Sequence, residues 1–431
     1  MMSALLDHHR PYRSLIRIFA VWKAFLFAIA LGSGVGPAYD TSSTLLSTDR
    51  LTSHESTFDL ASKLTRWDAI YFIQSSRRGY LFEQEWAFAK GLPIVISMLA
   101  KGAAAFGVEE NDALEPLIGV LVATVCHLLS ALVLYEVGLV VSKHSRFSFV
   151  ASVLHILSPA GLFLSAPYSE SPFALLSFAG YLLFAQAALG KGRTLTHEMK
   201  LLVSGLLFGL SLSFRSNGIL NGILFMAYLL REMRSPLTVN SIRRRLALIG
   251  GGSAIAVGFI IPQIVAYRTY CYGTPESELR PWCTGYLPNI YSFVQRQYWN
   301  VGFLRYWTPS NIPLFLLAAP MLYLMIKSSL DTFFQGPNLE DPSATSKLSG
   351  DSIWFIRAAA VPQLVLALLA ITNYHIQIIT RISSGYPLWY FWLAALLSRQ
   401  ATAGYGQGIV LFMIMYAGIQ GALFASFLPP A

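Results

Sequence analysis

The chain has 431 residues and a formal net charge of +9, and 55% of its residues are hydrophobic while only 12% are charged. Soluble domains carry about 25% charged residues, so this composition excludes an ordinary soluble domain. Long apolar runs separated by short polar clusters predict an all-α protein that crosses a membrane many times. The positive charge is better explained by cytoplasmic loops rich in Lys and Arg than by nucleic-acid binding.

Eleven apolar runs are predicted to form transmembrane helices, which need roughly 20 residues each. In chain order they are 18–36, 116–142, 147–164, 172–190, 201–214, 218–230, 247–267, 312–329, 353–372, 384–397 and 408–428. The runs 201–214, 218–230 and 384–397 are short and require tilting or extension at their ends. The segment 93–107 is also short and contains Lys101, so we expect a helix at the membrane surface or a re-entrant helix.

The distribution of Lys and Arg predicts the orientation. If 93–107 does not cross, one side of the membrane receives fifteen Lys and Arg, in the segments 1–17, 143–146, 191–200, 231–245, 328–352 and 398–407. Short loops on the other side hold only Arg215 and Arg381. The positive-inside rule therefore predicts a cytoplasmic N-terminus and a lumenal or external C-terminus. The loops 37–115 and 268–311 then lie on the lumenal side, and 328–352 is a flexible cytoplasmic linker.

The unusual polar sequences gather on the predicted lumenal side. They lie at 66–93, 165–172, 215–222, 280–307 and 373–381. Polar groups near the hydrocarbon region are costly unless they pair or line a wet cavity, so they indicate function. Aromatic rings interleaved with acids and Arg suit a cleft that binds sugars and phosphates. The alternative is an aromatic belt at the membrane surface.

Two cysteines, Cys271 and Cys283, lie in one of these predicted lumenal loops. They can pair if the loop faces an oxidising compartment. The sequence leaves this pairing open.

Several of these segments resemble one family. The sequences WDAIYFIQSSRRGYLFEQEWAFAKGLP, SPAGLFLSAPYSESPFAL, FRSNGILN, YWNVGFLRYW followed by IPLFLLAAP, and HIQIITR occur in this order between about residues 60 and 395. Together they resemble the PIG-V family, the second mannosyltransferase of glycosylphosphatidylinositol (GPI) anchor assembly in the endoplasmic reticulum. The first segment ends in AFAKGLP, at 87–93, where the family leads us to expect a more aromatic and proline-rich sequence; we expect this departure to affect local packing only.

The resemblance implies a single integral-membrane domain of the GT-C class over 1–431, with a catalytic Asp and interfacial helices in its first lumenal loop. It implies a multi-pass protein of the endoplasmic reticulum membrane. The implied reaction transfers mannose from dolichyl-phosphate-mannose to the first mannose of the GPI precursor, with inversion and an α1,6 bond. The implied partners are these two glycolipids, membrane lipids and a small membrane subunit, without nucleic acid or a cofactor.

The resemblance and the side-chain chemistry together give the candidate site. Asp68 is the predicted general base, which takes the proton of the attacking hydroxyl; its alternative is a helix N-cap. The predicted substrate-binding residues are Arg66, Trp67, Glu170, Arg215, Asn217, His375 and Arg381. Arg215 and Arg381 are the main candidates for the leaving phosphate, with snorkelling to ordinary lipid headgroups as the alternative.

The remaining candidates have structural alternatives. Glu170 is expected to contact a sugar hydroxyl or an amine, and His375 to bind phosphate or to form a structural hydrogen bond. For Glu83 and Glu85 we expect ion pairs with the arginines at 77–78, with contact to a sugar hydroxyl or an amine as the alternative. The predicted lumenal segments contain no D-x-D motif, so we predict that no divalent metal is required. A transporter or flippase, with its repeated halves and broken helices, is the main alternative function, and a lipid-binding assembly subunit is the third.

Overall fold

The computed structural model describes residues 10–33, 39–40, 55–109, 111–192, 194–335 and 348–428, which form helices and no β-strand. The α-helices are α1 (Pro11–Gly32), α2 (Glu55–Leu64), α3 (Asp68–Arg78), α4 (Gly91–Ala105), α5 (Leu114–Ser142), α6 (Ser145–Ile156), α7 (Glu170–Leu189), α8 (Leu195–Ser211), α9 (Gly222–Glu232), α10 (Val239–Tyr270), α11 (Ile290–Trp299), α12 (Ile312–Leu330), α13 (Gly350–Asn373), α14 (Ile379–Ile382), α15 (Leu388–Ser398) and α16 (Gln400–Ala425).

Seven of the described helical segments are long and apolar enough to cross a membrane. They are α1, α5, α7, α10, α12 with its flanking turns, α13 and α16. The predicted class, an all-α protein with several membrane spans, is therefore confirmed.

The predicted number of eleven spans is not confirmed, because four predicted spans form shorter helices. α9 and α15 have 11 residues each, and at 1.5 Å per residue they extend only about 17 Å. α6 and α15 pack against each other and are mostly buried. Hydropathy therefore identified these segments as apolar, but in α6 and α15 the apolar residues pack inside the bundle.

The segment predicted to lie at the membrane surface is α4, with 15 residues. Its length of about 22 Å is short of the roughly 30 Å hydrocarbon core, in agreement with a helix that does not cross. The start of α4 is fixed by Gly91, whose backbone N–H donates to the carbonyl oxygen of Ser213 at 2.6 Å. A Cβ at Gly91 would lie 2.6 Å from that oxygen, so only glycine permits this close approach.

Helices α8 and α10 approach each other through glycines. A Cβ on Gly205 would lie 2.3 Å from the Cα of Gly251, and a Cβ on Gly258 would lie 2.4 Å from the carbonyl oxygen of Gly209. Small residues allow membrane helices to pack backbone to backbone. This packing places the second half of α10 beside the segment 212–217, where the site lies.

The two long loops predicted from the sequence pack together. The disulfide between Cys271 and Cys283 is formed in the structure, which settles the pairing that the sequence left open. Both cysteines pack with Trp86 and Trp282 in a separate apolar cluster. The buried Glu83 carboxylate accepts hydrogen bonds from Trp282 Nε1 at 2.7 Å and from the Tyr298 hydroxyl at 3.2 Å.

Some predictions concern residues outside the described part of the chain. The centre of the predicted linker 328–352, residues 336–347, lies outside it, as do residues 41–54 of the loop 37–115. The described ends of the linker continue α12 through a π-helical turn at Asp331–Gln335 and lead into α13 at Gly350.

Candidate active site

A cavity of about 550 Å³ opens where several helix ends and connecting segments meet. Its polar side is lined by Asp68, Arg215, Asn217, His375, Gln377 and Arg381. Its apolar side includes Ile94 of α4 and Phe259, Ile261 and Val265 of α10. Four of the seven predicted substrate-binding residues (Arg215, Asn217, His375 and Arg381) therefore line one cavity together with Asp68.

Asp68 is the first residue of α3. The N-cap position belongs to Trp67, which makes no side-chain capping hydrogen bond. The Asp68 carboxylate instead accepts a hydrogen bond from Arg381 Nη1 at 3.2 Å, and its side chain remains 38% exposed. The N-cap alternative for Asp68 is therefore wrong, and the carboxylate remains accessible from the cavity.

Behind the polar wall, carboxylates and guanidinium groups alternate. Arg215 Nη1 lies 2.7 Å from Glu170 Oε1, and Arg381 Nε lies 3.8 Å from the same oxygen. The Glu170 side chain is fully buried. Buried charges are tolerated when they are paired and hydrogen-bonded. This ion-pair chain, Arg215–Glu170–Arg381–Asp68, fixes both arginines and the candidate base relative to one another.

Two aromatic rings hold the Arg381 guanidinium. It lies 4.8 Å from the ring centroid of Phe163 and 5.3 Å from that of Tyr168, which are cation–π distances. The Tyr168 hydroxyl donates to the backbone carbonyl of Arg66 at 3.1 Å. The turn before Asp68 and the position of Arg381 are thus coupled through one tyrosine.

Three predicted substrate-binding residues do not line the cavity. The Trp67 ring packs on Phe427, with ring centroids 5.1 Å apart, and the Arg66 guanidinium lies 4.9 Å from the same ring. Glu170 lies behind the arginines and pairs with them. At Trp67 the backbone has a φ of +55°, an uncommon conformation for a bulky residue. The direction of a side chain at such a residue does not follow from the local sequence.

Asn217 and His375 line the cavity but also support it. Asn217 Nδ2 donates to the Tyr386 hydroxyl at 3.2 Å, and that hydroxyl donates to the Asn217 carbonyl at 3.1 Å. The His375 ring packs edge-on against Tyr306. Burial lowers the pKa of His375 below its usual value, despite the nearby Asp68 carboxylate. A neutral imidazole at pH 7 has no charge to attract a phosphate, and the structural hydrogen bond of His375 stays a prediction.

The charged residues at 77–85 form only one of the expected ion pairs. Arg78 pairs with Glu85 at 2.6 Å, as expected. Arg77 pairs instead with Glu115 at 3.1 Å and with Asp112 at 3.7 Å, which ties α3 to the start of α5. Glu83 bonds the second long loop, as described above.

Sequence reasoning missed Lys90. Its Nζ lies 3.7 Å from the ring centroid of Trp86 and 4.7 Å from that of Tyr80, and all three residues line the cavity. The available signal was the departure at 87–93, which contains this lysine. We had expected that departure to affect packing only.

Within the described residues, no group of three or more His, Cys, Asp or Glu side chains could hold a metal ion. The metal independence predicted from the sequence stays a prediction. The fold and the cavity define the class: a polytopic, all-helical membrane protein with a charged cavity beside an apolar wall.

Comparisons with known proteins identify the family to which this membrane protein belongs. Residues 12–431 match the family model described as Mannosyltransferase (PIG-V). The chain is 49% identical to GPI mannosyltransferase 2 of Chaetomium globosum, over 98% of this chain and 97% of the relative, and 44% identical to that of Gibberella zeae, over 99% and 100%. It is 30% identical to GPI alpha-1,6-mannosyltransferase 2 of Cricetulus griseus, over 79% and 74%.

A solved structure of the oligosaccharyltransferase of Archaeoglobus fulgidus superposes with a TM-score of 0.43 at 11% identity, over 94% of this chain and 55% of that one. A similarity at this level is distant, and the assignment rests on the sequence comparisons. The chain belongs to the PIG-V mannosyltransferase family and is a membrane glycosyltransferase.

Proposed function

We propose that this enzyme transfers mannose from dolichyl-phosphate-mannose to the first mannose of a GPI precursor and forms an α1,6 bond with inversion. The names of its relatives support the acceptor and the linkage. The lining of the cavity supports lipid-linked substrates, since charged and apolar side chains in one cavity suit a polar head joined to a lipid tail.

The transfer reaction needs one group that accepts a proton from the attacking hydroxyl. The 6-hydroxyl oxygen of the acceptor attacks the anomeric carbon of the donor mannose, and the bond from that carbon to the phosphate oxygen breaks. Asp68 takes the hydroxyl proton, and the phosphate departs with the bonding electron pair. The observation that carries this assignment is the exposed Asp68 carboxylate, 3.2 Å from Arg381 in the cavity.

The arginines have two roles in this proposal. Arg381 orients the Asp68 carboxylate, and Arg215 and Arg381 place positive charge where the phosphate gains negative charge. Glu170 acts through the arginines and is a positioning residue. We further propose that the enzyme lies in the endoplasmic reticulum membrane in the GT-C arrangement, with a cytoplasmic N-terminus and a lumenal cavity, because the positive-inside rule and the family agree on this orientation.

The test is mannose transfer in vitro from dolichyl-phosphate-mannose to a one-mannose GPI precursor, with and without co-purified membrane proteins. Comparing the assays with and without co-purified membrane proteins tests whether the proposed small partner subunit is required. A chelator should leave the transfer unchanged, since no metal is expected; complete loss that added metal restores would contradict this.

Asp68→Asn should lower the transfer rate by about 10²–10⁴-fold, the usual contribution of a general base. Asp351→Asn is the matched control, because Asp351 also pairs with an arginine, Arg231, at 2.7 Å but does not line the cavity. Normal folding with full transfer by Asp68→Asn would remove Asp68 from the base role.

A further inference from the structure

One cation that lines the cavity, Lys90, lies outside the ion-pair chain. In the ion-pair chain, two carboxylates face two guanidinium groups, so this part of the wall is neutral. Among the described residues that line the cavity, Lys90 is a further cation, and it pairs with no carboxylate. The ammonium group of Lys90 is therefore placed where an anion that enters the cavity can contact it.

Lys90 is held at the cavity wall by two rings. The Trp86 and Tyr80 rings that its ammonium group contacts line the same cavity. Partial burial lowers the pKa of Lys90 from its usual value, because the ammonium group has lost part of its hydration. The rings replace only some of that hydration, since a cation–π contact leaves N–H donors of the ammonium group available.

The position of Lys90 is fixed relative to the rest of the site. The next residue, Gly91, bonds the Ser213 carbonyl at 2.6 Å, two residues before Arg215. The backbone that carries Lys90 is thus joined to the backbone that carries a site arginine. This hydrogen bond therefore fixes the point from which the Lys90 side chain extends relative to the segment of Arg215.

Lys90 also lies next to an apolar part of the cavity lining. Ile94 is one turn further along α4, bonds the Lys90 carbonyl through its backbone N–H, and lines the cavity with 53% of its surface exposed. In a lipid-linked sugar, the phosphate is the group at which the polar head joins the apolar tail. A single ammonium beside an apolar side chain matches that junction.

We propose that Lys90 binds the phosphate of a lipid-linked substrate and so acts as a specificity-determining residue of the transfer. This deepens the proposed function, because the donor and the acceptor each contain a lipid-attached phosphate. Both sources share the same chemistry, a phosphate ester on a lipid tail, and the experiment separates them.

The first experiment measures binding without catalysis. Dolichyl phosphate and phosphatidylinositol are titrated separately against the purified protein in detergent. We expect Lys90→Gln and Lys90→Met to weaken binding of one probe by about tenfold, the usual range for a hydrogen bond to a charged group. Lys90→Arg should keep most of the affinity. In the unchanged protein, binding of that probe should weaken with added salt, and this measurement needs no variant.

The control is Lys101→Gln, because Lys101 is an exposed lysine on the same helix and does not line the cavity. It should bind both probes as the unchanged protein does. The proposal would be overturned if folded Lys90→Gln bound each probe as tightly as the unchanged protein does. It would also be overturned if added salt changed the affinity of the unchanged protein for neither probe.

The second experiment uses the transfer reaction. Lys90→Gln should raise KM for the same substrate with a smaller change in kcat, since its phosphate contact exists before the reaction. A fall in kcat with both KM values unchanged would contradict the proposal. If the unchanged protein transfers no mannose, the proposed function fails, whereas the binding experiment still decides the role of Lys90.

Discussion

The two walls of the cavity are built differently. The ion-pair wall consists of Asp68, Arg215 and Arg381, with Glu170 behind them. It is carried by helix ends and joins residues up to 313 positions apart in sequence. The loop wall, formed by 80–90 and 262–299, is held by aromatic contacts, a disulfide and the hydrogen bonds of Glu83. We infer that the first wall fixes the geometry of the transfer and that the second mainly holds the substrates.

The largest effect that separates the walls is expected from Glu170→Gln. Breaking a buried ion pair typically costs about 3–5 kcal/mol, and here two arginines lose the same carboxylate. We expect a lower melting temperature and little transfer. Thermal unfolding of purified protein in detergent measures the first, and the mannose assay measures the second.

Asp351→Asn again serves as the control, since it removes one carboxylate of an exposed pair, and exposed pairs contribute about 0–1 kcal/mol. A melting temperature and a transfer rate of Glu170→Gln equal to those of this control would show that the ion-pair chain does not support the site.

A smaller effect is expected from the double variant Cys271→Ser, Cys283→Ser. The disulfide lies in the loop wall with Trp86 and Trp282, so its loss should loosen that wall and leave the ion-pair wall intact. We expect KM for the lipid substrates to rise several-fold with little change in kcat. Steady-state kinetics with each substrate varied in turn would measure this.

Cys126→Ser is the matched control, because Cys126 forms no disulfide and does not line the cavity. It should behave as the unchanged protein. A double-serine variant that loses kcat while its KM values stay constant would mean that the loop wall also fixes the reacting groups.

The sequence predicted the first wall better than the second. Charges at the ends of apolar runs identified Arg215 and Arg381, because charged groups near the hydrocarbon region need a partner or a cavity. Asp68 was identified from the family resemblance together with the chemistry of a general base. The pairing of Glu170 with both arginines depends on contacts between segments far apart in sequence. The positions of Arg66 and Trp67 depend on one positive φ angle. No local pattern contains either kind of information.

The same distinction applies to the helices. The apolar runs located every long span, because a spanning helix must be apolar over its whole length. They did not separate α15 from the spans, since a short helix buried among other helices is equally apolar. Lys90 was missed for the opposite reason: a single lysine before an apolar helix resembles an ordinary end of that helix.

The smallest effect is expected from His375→Asn and concerns pH. Burial lowers the pKa of His375 in the folded protein, so the unfolded chain binds a proton there at a higher pH than the folded chain does. The stability contributed by the neutral ring is therefore present above the unfolded pKa of about 6.5 and is lost as the pH falls below it. His375→Asn should lose less stability than the unchanged protein between pH 7 and pH 5, as thermal unfolding at each pH would measure. Equal losses would mean that the ring titrates alike in both states, and the phosphate-binding interpretation of His375 would then regain its basis.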